Sequence, residues 1–267
     1  MEIDAVKIVT IGCDPELFFR KTSGECVSVI DKLGGSKDEP KPIENGCAVQ
    51  EDNVAAEFNI RPSTSLTEFR DQIKFVLRYL DKEAEGMGLN LARHVASYSF
   101  APDQLAHWKA MVFGCEPDLS VWDRKENPKP ESTDPMLRSC GGHIHVGTDL
   151  DPFELGKSMD LHLAIPSLSL DPDTRRRELY GKAGAIRIKP YGMEYRTLSN
   201  FWIWADHLIE WAWEGTNKAV EFVEKGYRVP DTIGKHIQNA VNTGNRNSLN
   251  VCYQYLSDTY GTDFAKA

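Results

Sequence analysis

Four short segments of the sequence place acidic, basic or histidine side chains two residues apart within runs of strand-forming residues. In an extended strand such side chains lie on one face, so Glu194 and Arg196 share a face and Tyr195 lies on the other. A carboxylate binds divalent cations, and a guanidinium binds phosphate oxygens through two parallel hydrogen bonds. The pair therefore suits a metal and nucleotide site, although an ordinary ion pair between strands has the same pattern.

Two of the other segments carry carboxylates. The segment IGCDPELFF brings Asp14 and Glu16 to the end of the apolar run at residues 6–11, with a proline between them that marks a strand end. The segment NVAAEFNIRPS places Glu57 and Asn59 on one face, with aromatic and aliphatic residues on the other. These carboxylates are candidate metal ligands, and a turn acid is the alternative for the first pair.

The remaining segment, CGGHIHVG, places His143 and His145 on one face, with glycines on both sides that allow a ligand to approach closely. A solvated sheet face usually carries Lys, Thr, Ser and Glu in mixed order, whereas the polar positions here hold Asp, Glu, His and Arg. Those residue types bind hard cations and phosphate, although a buried, hydrogen-bonded histidine pair remains an alternative. The four segments together predict a sheet with one apolar and one charged face.

These motifs resemble those of the carboxylate-amine ligases of the glutamine synthetase and glutamate-cysteine ligase superfamily. The resemblance is greatest to the phage-encoded COOH-NH2 ligases, also called amidoligases. It is carried by GCDPE, the Glu57 strand, SCGGHIHVG, YGKAG with the arginine strand after it, and GMEYRTLSNFW. These motifs cover roughly the first two hundred residues in order, and HIHVG and the Glu-Tyr-Arg strand are the most specific. Many relatives carry Glu-x-Glu where this chain has Asp-Pro-Glu, so the role of Asp14 is left open.

The resemblance implies an α+β fold like that of the glutamine synthetase catalytic domain. In this fold a curved, mainly antiparallel sheet has a polar concave catalytic face, and helices pack on the other face. We expect residues 1–225 to form the ligase catalytic domain. Residues 226–267 are expected to form a C-terminal helical extension packed on the same domain.

The resemblance also implies roles for individual residues. The expected metal ligands are Glu16, Glu57, Glu194 and His143. The residues expected to bind the nucleotide are His143, His145, Arg175, Arg177, Arg187 and Arg196, with one member of the run at 175–177 helping to hold the phosphates. Those expected to act in catalysis are Arg187, Glu194 and Arg196. Asp52, which precedes the Glu57 strand, is a weaker candidate for a second metal.

The implied activity is the joining of a carboxylate to an amine, with ATP and Mg2+, to form an amide or isopeptide bond. Because a carboxylate resists attack by an amine, ATP must first convert one of its oxygens into a leaving group, which gives an acyl phosphate. Mn2+ is an alternative to Mg2+. The expected partners are a carboxylate-bearing and an amine-bearing substrate, including peptide or protein side chains, and self-association is left open.

Two other functions fit some of the same residues. One is a metal-dependent hydrolase, in which His143, His145 and one glutamate bind zinc or iron. The abundance of arginines suited to phosphate argues against it. The other is a relative without catalytic activity that binds a nucleotide or a peptide. The sequence contains neither G-x-x-x-x-G-K-[ST] nor a strand-linked G-x-G-x-x-G, so nucleotide binding would not depend on such a loop.

Composition narrows the class of protein further. The net charge of -9 argues against a general binder of nucleic acid or anionic membranes. No apolar run approaches a membrane span, and the N-terminal residues lack the pattern of a secretory signal. We therefore expect a cytoplasmic protein, or one of the host cytoplasm if a phage encodes it. The six cysteines have no close pair at the spacing of zinc or redox motifs, which favours reduced thiols.

The spacing of apolar, capping and proline residues also predicts helices and loops around the strands. Apolar residues at helical spacing predict a helix at residues 66–84, which begins with the capping pair Ser65 and Glu68. A second helix should begin at Asp151 and Pro152, and a third should cover residues 202–223. The polar, proline-containing segments at 34–42 and 123–135 are predicted loops, either solvated connectors or lids over the site.

Overall fold

The computed structural model describes residues 8–111, 118–128 and 133–261. The first two residues of the apolar run at 6–11 lie outside these ranges, as does part of the predicted loop at 123–135. The strand pairs within the ranges are antiparallel, and helices accompany them, which confirms the predicted α+β class.

The strands, in chain order, are β1 (Thr10–Cys13), β2 (Glu16–Leu17), β3 (Phe19–Arg20), β4 (Cys26–Val27), β5 (Lys41–Pro42), β6 (Ala48–Asp52), β7 (Ala55–Asn59), β8 (Asn90–Leu91), β9 (Ser97–Ser99), β10 (Leu119–Ser120), β11 (Leu137–Ser139), β12 (Ile144–Gly147), β13 (Ala185–Lys189) and β14 (Gly192–Tyr195). The helices are α1 (Leu66–Gly86), α2 (Trp108–Met111), α3 (Pro152–Met159), α4 (Ile165–Leu170), α5 (Arg176–Leu179), α6 (Asp206–Glu224), α7 (Asp231–Thr243) and α8 (Arg246–Tyr260).

Two sheets carry the polar segments and are joined through the chain around Asp14. One has the strand order β1-β12-β14-β13-β10, and the other has the order β2-β7-β6-β5. The amide of Ile60 donates to the carbonyl of Cys13 over 3.2 Å, and the amide of Phe58 donates to the carbonyl of Pro15 over 3.1 Å. Because β1 and β2 are consecutive along the chain, these bonds make the two sheets one continuous surface.

The register of this surface places the predicted polar segments on one face. Glu16 lies opposite Glu57, and Glu194 lies between His145 on one side and Arg187 on the other. Side chains directly opposite each other on neighbouring strands point to the same face. On the other face, Ile144, Val146, Ile186, Met193 and Tyr195 are fully buried. The predicted division into a charged and an apolar face is present.

Helices α1 and α3 cover the apolar face, and each begins as the sequence predicts. The Ser65 hydroxyl accepts a hydrogen bond from the Glu68 amide over 3.3 Å, which caps α1. Asp151 caps α3 through the amides of Phe153 and Glu154. Apolar residues of both helices share one core with the strands, and α3 packs directly against β13 and β14.

The helix predicted at 202–223 is interrupted. Residues Asn200–Trp204 form a 3-10 helix that Ser199 caps, and α6 follows it. Ala205, between the two, is extended, with φ -145° and ψ 143°. The 3-10 turn is fixed from outside, because the Trp202 indole donates to the carbonyl of Gly142 over 3.1 Å. Tertiary packing of the aromatic residues thus overrides the continuous helical pattern.

The C-terminal region is helical. Helices α7 and α8 pack against each other and against α4, and they share a core with Leu161 and Ile165. A π-helical turn, Asp160–Ala164, lies between α3 and α4. The division of the chain at residue 225 stays a prediction.

Two further predictions concern membrane-spanning segments and the cysteine thiols. Among the residues that the structure describes, no helix is both long enough and apolar enough to span a membrane. Cys13, Cys26, Cys47, Cys140 and Cys252 are buried free thiols, and Cys115 lies outside the described residues. Burial raises the pKa of Cys13 and Cys140 well above the usual value, so neither is an activated nucleophile.

Candidate functional site

The first acidic group consists of Glu16 on β2, Asp52 on β6 and Glu57 on β7. Each offers a carboxylate oxygen, and the three oxygens lie within 4.8 Å of one another. The amide of Gly141 donates to Glu16 Oε2 over 2.7 Å and fixes that side chain. The structure therefore brings together two of the predicted metal ligands and the weaker candidate Asp52.

Burial dominates the electrostatics of this group. It raises the pKa of Glu57 well above the usual range, and the charges of Asp14 and Asp52 raise it further. Burial and the charge of Asp52 raise the pKa of Glu16 to about 7, against the effect of the Gly141 amide. Burial also raises the pKa of Asp52, although the charge of Arg196 opposes it. Three carboxyl groups this close favour protonation, or neutralisation by a cation.

The second group consists of Asp14, His145 and Glu194, whose candidate ligand atoms also lie within 4.8 Å of one another. Asp14 Oδ1 lies 2.9 Å from His145 Nε2. Burial alone would raise the pKa of Asp14, but the charge of His145 and hydrogen bonds from both neighbouring histidines hold it well below its usual range. The structure thus places Asp14 among the candidate metal ligands. The sequence had left open whether Asp14 takes part.

Glu194 is the most buried acid of the site, with no exposed surface. Arg196 Nη1 donates to its Oε1, and Arg187 Nη1 and Lys189 Nζ lie 3.2 Å and 3.0 Å from its Oε2. Burial and the charge of Asp14 would raise the pKa of Glu194, but Arg196 and the two histidines lower it to about 2. Glu194 is therefore ionised, and three basic residues share its charge.

The two histidines differ in their surroundings. His143 is buried, and its Nδ1 lies 3.4 Å from Asp14 Oδ1 and 3.7 Å from Glu194 Oε1. Burial and the charge of Arg196 lower the pKa of His143 to about 4, so its ring is neutral. In contrast, Asp14 raises the pKa of His145 against the effect of burial. Of the two histidines, only His145 belongs to a group of three candidate metal ligands among the described residues. The sequence analysis had named His143 as the metal ligand.

Position 141, two residues before His143, has no room for a side chain. A Cβ atom at Gly141 would lie 2.1 Å from His143 Nε2, closer than any side chain could tolerate. Gly141 also pairs with Ser199 in an isolated bridge, and its carbonyl accepts from the Glu16 amide over 2.9 Å. The glycine thus allows His143 and Glu16 to approach the same point of the strand.

Buried arginines lie beside the first acidic group. Arg196 is 5% exposed, and its Nε lies 3.6 Å from Asp118 Oδ2. Arg176 is 3% exposed and donates to the carbonyls of Thr197 and Arg196 over 3.0 Å and 3.1 Å. Its Nε has no hydrogen-bond partner in the described part of the chain. A buried, incompletely satisfied guanidinium is suited to bind an anion.

The prediction named Arg175 and Arg177, but the structure places neither beside the acidic groups. Arg175 is exposed, and its Nη2 lies 3.1 Å from Asp134 Oδ2 at the surface. Arg177 lines a separate small cavity with Asp171. Consecutive residues at the start of the short helix α5 point in different directions, so only Arg176 of the three faces the pocket.

A pocket that opens to solvent lies beside the first group and is lined by Glu16 and Asp52 of that group. Its ionisable lining residues are Glu16, Asp52, Arg138, His143, Arg176 and Arg196. Its remaining lining residues are Phe18, Asn53, Val54, Ala55, Ser139, Gly141, Leu179 and Tyr180. The pocket thus combines acidic, basic and apolar surfaces, as a site for a charged organic ligand requires.

The sequence prediction missed several polar residues of the site, among them Lys189 and Asp118. Lys189 follows Arg187 at the spacing of two and contacts Glu194, so the strand pattern contained a signal for it. Asp118 had no local signal, because it approaches Arg196 only through the pairing of β10 with β13.

Residues 135–258 match the family model described as "Phage phiEco32-like COOH.NH2 ligase-type 2". The predicted resemblance to the phage-type COOH-NH2 ligases is confirmed. The matched range contains both histidines of the HIHVG motif together with Arg176, Glu194 and Arg196. The carboxylates of β2, β6 and β7 precede this range, so this part of the candidate site lies outside the match.

The solved structures that match this chain have low sequence identity to it. Apo GmaS without ligand is 11% identical, with 95% of this chain and 70% of that chain covered and a TM-score of 0.41. A GmaS/ADP complex is 11% identical, with 97% and 70% covered and a TM-score of 0.36. A novel glutamine synthase homolog is 13% identical, with 96% and 68% covered and a TM-score of 0.38. No curated protein sequence matches this chain.

Proposed function

We propose that this protein is an ATP- and Mg2+-dependent ligase that joins a carboxylate to an amine through an acyl phosphate. The observation that carries the proposal is the presence of two acidic groups on one sheet face, with the buried Arg176 and Arg196 beside them. Carboxylates that gather cations and guanidinium groups that bind phosphate form the set that a metal nucleotide needs. The match to a COOH-NH2 ligase model supports it.

The residues present fit divalent cations at two positions. Glu16, Asp52 and Glu57 would hold one ion, and Asp14, His145 and Glu194 would hold another. The first set offers oxygen donors only, which suits Mg2+ or Mn2+, and the second set adds one imidazole nitrogen to two carboxylates. When bound, such ions would offset the negative charge of the phosphate groups.

The basic residues would act on the phosphoryl group during its transfer. Arg176 and Arg196 are buried and held in place by hydrogen bonds, so they are oriented before the ligand arrives. Preorganised positive groups stabilise charge on a transferring phosphoryl group more strongly than mobile ones. Arg187 and Lys189 share the charge of Glu194 and hold its side chain in place.

The proposed reaction has two steps. A carboxylate oxygen of the first substrate attacks the terminal phosphorus of ATP, and the bond to the leaving ADP breaks. The amine nitrogen of the second substrate then attacks the acyl carbon, phosphate leaves, and the nitrogen loses a proton. Because phosphoryl transfer depends on positioning and charge, the lack of an activated cysteine among the described residues is consistent with this route.

Calorimetry with a non-hydrolysable ATP analogue, with and without Mg2+, tests the proposal before the substrates are known. We expect Mg2+-dependent binding in the micromolar range, which corresponds to roughly -8 kcal/mol. Binding would be followed by a screen of carboxylate and amine pairs for ADP release. An absence of binding in both conditions would contradict the proposal, and zinc and iron analysis of the protein would then test the hydrolase alternative.

A further inference from the structure

The turn between β13 and β14 places an aromatic residue, Tyr191, beside the second group of candidate metal ligands. β13 ends at Lys189 and β14 begins at Gly192, and these two residues are register partners, so only two residues form the turn. Tyr191 is 43% exposed, yet its hydroxyl group forms a hydrogen bond with Nδ1 of His145. The two rings lie 27° from parallel, with their centroids 6.0 Å apart. A residue outside the ligand group thus contacts one of its members through a ring nitrogen.

Backbone contacts fix the position of this turn. The amide of Thr148, directly after β12, donates to the carbonyl of Tyr191 over 2.9 Å. Gly192, the first residue of β14, has a φ of 148°. A Cβ atom there would lie 2.1 Å from the carbonyl oxygen of Val146, so only glycine lets the hairpin approach β12 this closely. The strand that carries His145 is therefore held against the turn that carries its partner.

The hydrogen bond leaves the other ring nitrogen of His145 directed at the remaining members of the group. Nε2 lies 2.9 Å from Asp14 Oδ1, and Glu194 lies directly opposite His145 in the register of β12 and β14. Because the imidazole ring is planar and rigid, a contact that holds Nδ1 also fixes the direction of Nε2. A histidine that binds a metal through one nitrogen is commonly oriented by a hydrogen bond at the other.

We propose that Tyr191 is a positioning residue, which acts through His145 and holds Nε2 in place to bind the metal ion of the second group. This inference rests on the proposed function, which assigns an ion to that group. A nitrogen that binds a metal carries no proton, so the proton of the neutral ring then lies on Nδ1. The Tyr191 oxygen accepts a hydrogen bond from it, and this fixes both the tautomer and the orientation of the ring.

Tyr191→Phe removes the hydroxyl group and keeps the aromatic ring. We expect the Mn2+ affinity of the second group to fall by about tenfold, an effect typical of losing a residue that orients a metal ligand. Titration of Mn2+ by electron spin resonance, without nucleotide, measures this loss. Tyr227→Phe is the matched control, because Tyr227 is an exposed tyrosine between α6 and α7 whose ring packs on Phe222. It should bind Mn2+ as the wild type does.

A spectroscopic signature separates positioning from a general loss of stability. The first group offers oxygen atoms only, whereas the second offers one imidazole nitrogen. Pulsed spin resonance detects a nitrogen bound to Mn2+ by its magnetic coupling to the ion, so it reports on the second group. We expect this coupling in the wild type and its loss in His145→Gln. Tyr191→Phe should give a smaller nitrogen-coupled share of the bound Mn2+, which a purely structural role of the hydroxyl group would not produce.

A double variant tests whether Tyr191 acts through His145. Adding Tyr191→Phe to His145→Gln should leave the Mn2+ affinity unchanged, because the interaction that the second substitution removes is already absent. A further loss of affinity in the double variant would show that Tyr191 acts by another route, and the inference would fail.

The remaining outcomes separate this inference from the proposed function. If the wild type shows the nitrogen coupling and Y191F behaves as Y227F does, the role of Tyr191 is wrong and the proposed function stands. If the coupling persists in H145Q, the nitrogen belongs to another residue and the inference fails. If the wild type binds Mn2+ without the coupling, the inference fails, and calorimetry with the ATP analogue still decides the proposed function. If the wild type binds neither Mn2+ nor the analogue with Mg2+, both proposals fail together.

Discussion

At the residue scale, the close contact of several carboxylates is the main chemical feature of this protein. Glu16, Asp52 and Glu57 come from three strands that are neighbours in one sheet, and β2 is distant in sequence from β6 and β7. Buried carboxyl groups at this separation cannot all ionise without a cation. Their arrangement therefore destabilises the metal-free protein, and a bound cation would offset this destabilisation.

Glu57→Gln tests the first acidic group. The substitution keeps the shape of the side chain but removes an anionic oxygen, so we expect Mn2+ affinity to fall by at least about tenfold, since loss of even indirect metal partners costs that much. The fold should persist, because the raised pKa of Glu57, caused first by burial, already favours its neutral form. Spin-resonance titration of Mn2+ checks this. Glu44→Gln, at an exposed turn, is the control and should bind as the wild type does.

Arg196→Lys tests the phosphate contact. Lysine keeps the charge but loses the two-pronged donor geometry, so we expect affinity for the ATP analogue to fall by about tenfold. The measurement is calorimetry in the presence of Mg2+. Arg175→Lys is the matched control, because that arginine is exposed and lies outside the pocket. Equal affinities of the two variants would place Arg196 outside the nucleotide site.

The pH dependence of the unfolding temperature tests the electrostatics. Burial, followed by the charge of Asp52, raises the pKa of Glu16 to about 7. In the folded protein Glu16 therefore holds its proton over a range in which the unfolded chain has released it. The resulting stabilisation is complete below the ordinary carboxyl pKa and is lost as pH rises through about 7.

We expect the metal-free protein to melt at a lower temperature at pH 8 than at pH 6, and saturating Mg2+ to reduce this difference. Differential scanning calorimetry with and without Mg2+ measures it. Glu16→Gln should flatten the dependence, because the amide does not titrate. An unfolding temperature of the metal-free wild type that rises from pH 6 to pH 8 would contradict the assignment.

At the element scale, the π-helical turn Asp160–Ala164 anchors β14, which carries Glu194 and is followed directly by Arg196. The Tyr195 hydroxyl donates to Asp160 Oδ1 over 2.7 Å, and the Trp122 indole donates to Oδ2 over 2.9 Å. Burial raises the pKa of Asp160 to about 6, although these hydrogen bonds lower it. One buried carboxylate thus connects the helix behind the sheet to the strand that forms the site.

Tyr195→Phe removes one of these bonds while keeping the ring. We expect the free energy of unfolding to fall by about 1–3 kcal/mol, because Asp160 is left without that donor in a buried place. Urea denaturation measures this loss. Tyr191→Phe, on the exposed side of the same hairpin, is the control and should cost less. An equal cost for the two variants would contradict the anchoring role.

At the scale of the whole molecule, the C-terminal helices complete a core that the rest of the chain leaves open. Ile237 of α7 and Leu256 of α8 are buried with Leu161 of the π-helical turn and Ile165 of α4. Removing residues after 225 would expose these apolar side chains to water. The matched family range, 135–258, also runs across residue 225.

Ile237→Ala tests this contribution. We expect the free energy of unfolding to fall by about 2–5 kcal/mol, because the site is fully buried and the substitution leaves a cavity. Val251→Ala, on the partly exposed face of α8, should change stability by about 0.5 kcal/mol or less. Urea denaturation compares the two. Similar losses would show that α7 does not contribute to the core as a unit.

The sequence by itself determined the local features of this protein. Alternation with a period of two predicted the polar strand face that carries Glu57, His145 and Glu194, and Ser65 with Glu68 predicted the start of α1. The motifs were sufficient to indicate the ligase-type family. These features depend on residues within a few positions of one another, where backbone geometry alone decides which side chains share a face.

Only the tertiary structure decided which of these polar residues meet. It grouped Asp14 with His145 and Asp52 with Glu57, and it placed Arg176 rather than its two neighbours in the pocket. It also interrupted the third predicted helix at Ala205. Strand order, register and packing depend on contacts between distant parts of the chain, and a pattern within one segment contains no information about the segment that pairs with it.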